Sequence, residues 1–133
     1  MMHKINLPLA VYLPRKTMPD KKMIINLNNY RNWSYIVSNQ VKKAYCQAVE
    51  PLVRGLILEP RLSLVFTYYK GSKRISDRSN VLCIQEKFFL DALVELGCIE
   101  DDNDSFIKST HFSGDEIDIK NPRVEVMIFE NRE

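Results

Sequence analysis

Several kinds of chemistry are excluded by what this chain lacks. It holds only four glycines, too few and too scattered for a glycine-rich phosphate loop. Its two histidines, His3 and His111, stand far apart in sequence and make no ligand pair. Cys46, Cys83 and Cys98 are odd in number and show no C-x-x-C spacing. They argue against a disulfide framework and predict buried thiols in a reducing compartment. No local motif supports Ser/His/Asp or Cys/His catalysis. Charge of one sign is missing too: 19 Lys and Arg against 17 Asp and Glu leave a net +2. No global field therefore exists to draw the chain to a polyanion, and any such binding has to come from a local patch. No apolar run approaches the length of a membrane span. The N-terminus, MMHKINLPLAVYLPR, has no long apolar stretch followed by a cleavage site. A soluble, cytoplasmic protein with no membrane partner is expected.

What is present is globular material. Apolar residues at 45% and charged residues at 27% argue against disorder and coiled coil. A chain of 133 residues predicts a single domain over 1–133, able to bury roughly two-thirds of its unfolded surface. Ile5 to Leu13 alternates as a strand, with Pro8 and Pro14 favouring an edge. Lys22 to Leu27 reads as a second strand, followed by a turn at Asn28 to Tyr30 where an asparagine can cap a helix. Trp33, Ile36, Val37, Val41, Ala44, Tyr45 and Ala48 recur at helical spacing and predict one helix from Arg31 to about Val49. Pro51 ends it or begins another turn. Arg61 to Tyr69 is a central strand. Asn80 to Leu96 is a second helix, stopped by Gly97. Phe106 to Phe112 and Arg123 to Phe129 alternate as strands and predict a hairpin with a long connection. The order β-β-α-β-α-β-β implies an α+β domain of two layers, with two main helices on a mixed sheet of about four to five strands.

The polar residues worth weighing cluster around the second helix. Asp77 stands at its start, where a carboxylate usually caps or meets the positive dipole end. Asn80, Lys87 and Asp91 share one narrow helical face. Lys87 and Asp91 form an i,i+4 pair that is ordinarily a solvated ion pair. The run EDDND at 100–104 is ordinarily a solvated turn. It is no EF-hand, because Phe106 and Phe112 occupy the glycine and glutamate positions. The functional alternative is that carboxylates at the two ends of the helix converge on a hard divalent cation, with the basic loop at 70–78 contacting nucleic acid.

The segment KRISDRSNVLCIQEKFFLDALVELGCIEDD, residues 73–102, resembles the signature of the RusA family of Holliday-junction resolvases. That signature has a basic run, Asp-x-Asp-Asn, a lysine three residues on, an Asp-Ala-Leu helix, a glycine and a paired Asp-Asp. Here Arg74 lies in the basic run and Asp77 matches the first aspartate. Asn80 matches the asparagine and Lys87 the lysine. Asp91, Ala92 and Leu93 match the helix motif, Gly97 the glycine, and Asp101 with Asp102 the acidic pair. The resemblance extends in outline to the INLP and PRVEVMIFE segments. Two positions depart from it. Ser79 stands where the family has its second aspartate, and Lys87 lies seven residues after Asn80 rather than three. Three accounts stay open: a helix extended by one turn, another carboxylate (Asp91, or Glu86 if the helix is irregular) replacing the aspartate, or a chain that binds branched DNA without cutting it.

The resemblance implies a Mg2+-dependent endodeoxyribonuclease, with Mn2+ able to substitute, acting on four-way junctions as a homodimer in a bacterial or phage-infected cell. It implies that Asp77 and Asp102 hold the metal with help from Asp101 or Asp91. Lys87 would stabilise the transition state, and Asn80 with Ser79 would support the site from behind. Lys70, Lys73, Arg74 and Arg78 would hold phosphates.

Overall fold

A computed structural model describes residues 1–130, apart from the side chain of Asp115; 131–133 of the expected domain lie outside the described residues. The elements run β1 (Met2–Leu7), β2 (Ala10–Leu13), β3 (Lys21–Ile24), α1 (Leu27–Asn32), α2 (Tyr35–Val53), β4 (Leu62–Lys70), α3 (Arg78–Glu95), β5 (Ile107–Ile117) and β6 (Arg123–Glu130). The class is α+β, as expected: a mixed sheet of four strands in the order β1-β6-β4-β5, two main helices against it, and a separate β2–β3 hairpin.

The expected N-terminal strand is two strands in two sheets. Pro8 has no N–H to give a ladder, and the chain turns there. β1 then pairs antiparallel with β6, while β2 pairs antiparallel with β3. The expected hairpin between the last two strands does not form. β5 pairs parallel with β4 at the sheet edge, and β6 inserts between β1 and β4, antiparallel to both. Alternation along a strand fixes which face is buried but not which neighbour it takes. A parallel neighbour needs a long crossover, and α3 is that crossover.

The single helix expected from Arg31 is also two. Asn26 caps α1 by accepting from the Asn29 N–H at 2.8 Å, and Ser34 caps α2 by accepting from Val37 N–H at 3.2 Å. α2 then runs past Pro51 to Val53, since a proline so close to a helix end disturbs little. Its buried stripe is Val41, Tyr45, Val49 and Val53, while Ile36 is exposed. α3 begins at Arg78, two residues earlier than expected, and Gly97 follows it at φ +77° as the stop signal predicts.

α3 is buried on two sides. Phe89 meets Phe66 of β4 edge-on at 6.1 Å, and Phe66 meets Phe112 of β5 at 6.2 Å. Phe88 turns the other way, towards Tyr45 of α2 and Tyr30 of α1. Leu62, Leu64, Val124, Val126, Ile128, Ile5 and Leu7 complete the sheet's contribution to the core. One polar group crosses it. Gln85 is fully buried; its Oε1 accepts from the Tyr45 hydroxyl at 2.7 Å and its Nε2 donates to the Pro8 carbonyl at 2.8 Å. This bridge joins α2, α3 and the corner between β1 and β2.

Replacing Gln85 with alanine strands the buried Tyr45 hydroxyl and the partly buried Pro8 carbonyl; at about 1–3 kcal/mol for each lost partner, urea unfolding is expected to lose about 2–6 kcal/mol. Burial also pushes the Tyr45 phenol well above its ordinary value. The folded chain therefore holds this proton where the unfolded chain has lost it, and stability falls as pH rises above about 10. Tyr45→Phe should flatten that part of the pH–stability curve.

Candidate functional site

The predicted site residues fall into two groups at opposite ends of α3. Asp77 is the N-cap, and its Oδ1 accepts from the Ser79 N–H at 3.0 Å. Asn80 Oδ1 accepts from the Asn28 N–H at 3.0 Å, which ties the start of α1 to the start of α3. The basic loop precedes this end. Lys73, Arg74 and Arg78 are exposed. The Lys70 ammonium instead donates to the Arg74 carbonyl at 3.1 Å and closes the loop. The Arg78 stem lies over Gly114 of β5, so closely that a Cβ there would come within 3.0 Å of its Cδ.

Asp91, Asp101 and Asp102 border a hollow of about 700 Å³ between α2 and the C-terminal half of α3. Phe88, Ala92 and Leu96 contribute apolar walls, while Lys42, Lys43, Glu50 and Glu95 bring charge. Asp101 is turned inward on its own loop: Oδ1 accepts from the Asp102 N–H at 2.7 Å and Oδ2 from Asn103 Nδ2 at 3.1 Å. Asp102 is exposed.

The expected Lys87–Asp91 pair does not form. Asp91 Oδ2 lies 3.0 Å from Lys42 Nζ of α2. That oxygen is shielded from solvent, and the ammonium stands at ion-pair distance but outside hydrogen-bonding geometry. The physical reason is helix packing. The α2 stripe Val41, Tyr45, Val49 and Val53 turns Lys42, one position along, towards α3. Sequence analysis did not single out Lys42; the buried stripe at Val41, Tyr45, Val49 and Val53, read at i,i+4, is the signal that finds it. Lys87 is exposed and makes no ion pair among the described residues.

Distance separates the two groups. α3 has 18 residues, so Asp77 and the acidic pair stand on the order of 25 Å apart along the axis, with Lys87 about 15 Å from Asp77. A cation binds oxygens at about 2.0–2.6 Å, far short of that span. Among the described residues, no three His, Cys, Asp or Glu side chains are grouped to hold a metal ion. The residues of one chain therefore do not fit the divalent ion that the resemblance implies.

The hollow also contains Cys46. Burial pushes its thiol up, and Glu95 and Glu50 add to the shift. Cys83 and Cys98 are raised by burial as well. All three are free and neutral at physiological pH, so they offer no thiolate nucleophile.

The chain matches no protein-family model and no curated protein. No helix among the described residues is long and apolar enough to cross a membrane.

Lys42 and Asp91 are each about a third exposed, and such pairs contribute up to about 1 kcal/mol. Lys42→Met should therefore change urea stability by no more than that. Cys46 should react with iodoacetamide more slowly than a free thiol at pH 8, and its rate should keep rising at pH values where a free thiol has levelled off.

Proposed function

We propose that the protein is a Mg2+-dependent, structure-selective endodeoxyribonuclease that resolves Holliday junctions or related branched DNA by paired nicks, working as a homodimer. The observation that carries this reading is the division of the motif residues between the two ends of one helix. Asp77 and the basic loop lie at one end, and Asp91, Asp101 and Asp102 at the other. One protomer cannot unite them. A two-fold axis that sets two copies of α3 side by side in opposite directions brings Asp77 of one copy against Asp101 and Asp102 of the other, and does so twice. Two such sites suit the two symmetric strands of a four-way junction.

The side chains have separate parts in this arrangement. Lys73, Arg74 and Arg78 are exposed cations beside Asp77 and suit phosphate contacts, which set position rather than sequence. Asn80 holds the loop-to-helix junction in place through Asn28. The Mg2+ this reading needs has carboxylates at both ends of α3 to draw on. Lys87, near mid-helix, reaches a site at either end only if the two copies are offset along the axis.

A second reading, a branched-DNA binder that does not cut, is favoured by two observations. The first is that Ser79 replaces a carboxylate with a neutral hydroxyl, which removes a charge from any metal site; the second is that Lys87 stands about 15 Å along the helix from Asp77, out of reach of a site at that end of its own chain.

Mixing variants separates these readings. Asp77→Asn and Asp102→Asn, each alone, should fail to nick a labelled mobile four-way junction in Mg2+. Co-refolded together, they should recover single nicks, because a mixed dimer contains one site with both carboxylates. Recovery of nothing in the mixture, with wild-type protein active, rules out a site shared between copies. Junction binding by the wild type with no nicking in Mg2+ or Mn2+ favours the second reading.

A further inference from the structure

We propose that the β2–β3 hairpin is a DNA-contacting arm, its cations on phosphates and its exposed Tyr12 against bases or sugars. The proposal rests on the DNA-binding part of the reading above and is independent of any cutting. Charge segregation points to it first. Between residues 10 and 24, Arg15, Lys16, Lys21 and Lys22 stand against the single acid Asp20, leaving +3 on a segment of a chain whose net charge is +2. The loop at 70–78 also carries +3, with four cations and one acid. The remainder of the chain is therefore at −4. A polyanion approaching this molecule is directed to these two segments.

The hairpin has the second feature nucleic acids use, an aromatic among cations. Val11 and Met23 point into the core and anchor it, so alternation turns Tyr12 and Lys22 outward. Those two residues face each other across the ladder. Tyr12 is 56% exposed, and Met18 at the tip is 58% exposed.

The arm is bonded at its base and across its tip. Ile25 N–H donates to the Leu9 carbonyl at 2.9 Å at its base, and Arg15 Nε donates to the Pro19 carbonyl at 2.8 Å across its tip. Behind it lies a hollow of about 390 Å³ bordered by Lys21, Lys22, Trp33 and Ser34. The arm is also joined to the other basic segment. β3 leads directly into α1, and Asn28 of α1 is bonded to Asn80 at the start of α3. A duplex seated on Lys73, Arg74 and Arg78 thus lies beside the base of the hairpin.

The test is binding of a labelled four-way junction in EDTA over a NaCl series, with folding checked by circular dichroism. Three proteins accompany the wild type: the quadruple Arg15→Ala, Lys16→Ala, Lys21→Ala, Lys22→Ala; Tyr12→Ser; and Lys73→Ala with Arg74→Ala. The quadruple variant should flatten the log–log salt slope by about two to four. Tyr12→Ser should bind about five-fold or more weakly with the slope unchanged, as expected for lost stacking. Wild-type slope and affinity in the quadruple variant, with binding lost in the Lys73, Arg74 variant, overturns the arm and leaves the DNA-binding reading intact. Wild-type protein that binds no junction overturns both. Binding through these cations to anionic vesicles but not to DNA also overturns the arm.

Discussion

Parallel pairing between β4 and β5 is the constraint on which the rest of this structure depends. Two parallel strands cannot be joined by a tight turn, because the chain must return to the end at which it started. Here the return path is α3. Because it crosses the sheet, α3 buries Phe89 against Phe66, and because α2 lies on its other side it also buries Phe88 against Tyr45. The same crossover sets the spacing of the candidate site. A helix long enough to return along β4 separates whatever precedes it from whatever follows it by its whole length. Asp77 and the Asp101–Asp102 pair are those flanking groups, so the geometry that builds the core keeps them apart within one chain.

Charge follows the same division. The cations of the 70–78 loop gather at the start of α3, and Glu95, Asp101 and Asp102 gather at its other end. The hairpin adds a further positive segment beside the first. The small net charge of the chain thus hides two segments of +3 each and a remainder at −4.

The N-cap role of Asp77 was legible in the sequence because capping is local: a carboxylate before an apolar periodic run, with its acceptor two or three residues from the donor. Gly97 was legible for the same reason, since a left-handed residue at a helix end is a backbone requirement. The Lys87–Asp91 pair looked equally local, yet Asp91 took Lys42, a partner 49 positions away. An i,i+4 ion pair is worth only a few tenths of a kcal/mol, too little to hold a side chain that helix packing has placed against another cation. Gln85 carried no sequence signal: a glutamine on a helix ordinarily faces water, and its burial depends on a hydroxyl and a carbonyl from two other elements.

By itself, the sequence determined the composition of the layers and the positions of the main helices and strands. Periodicity, caps and stop signals act within a few residues, and they placed most elements to within a turn. It also contained the run of polar residues from Lys73 to Asp102 whose placement at the two ends of α3 the fold then decided. The tertiary structure alone decided that β6 lies between β1 and β4, that β2 leaves the main sheet, and that Asp91 faces Lys42. The physical reason is that strand partners and helix contacts are chosen by how buried faces fit together across long stretches of chain. A hydrophobic alternation reads the same whichever strand it finds.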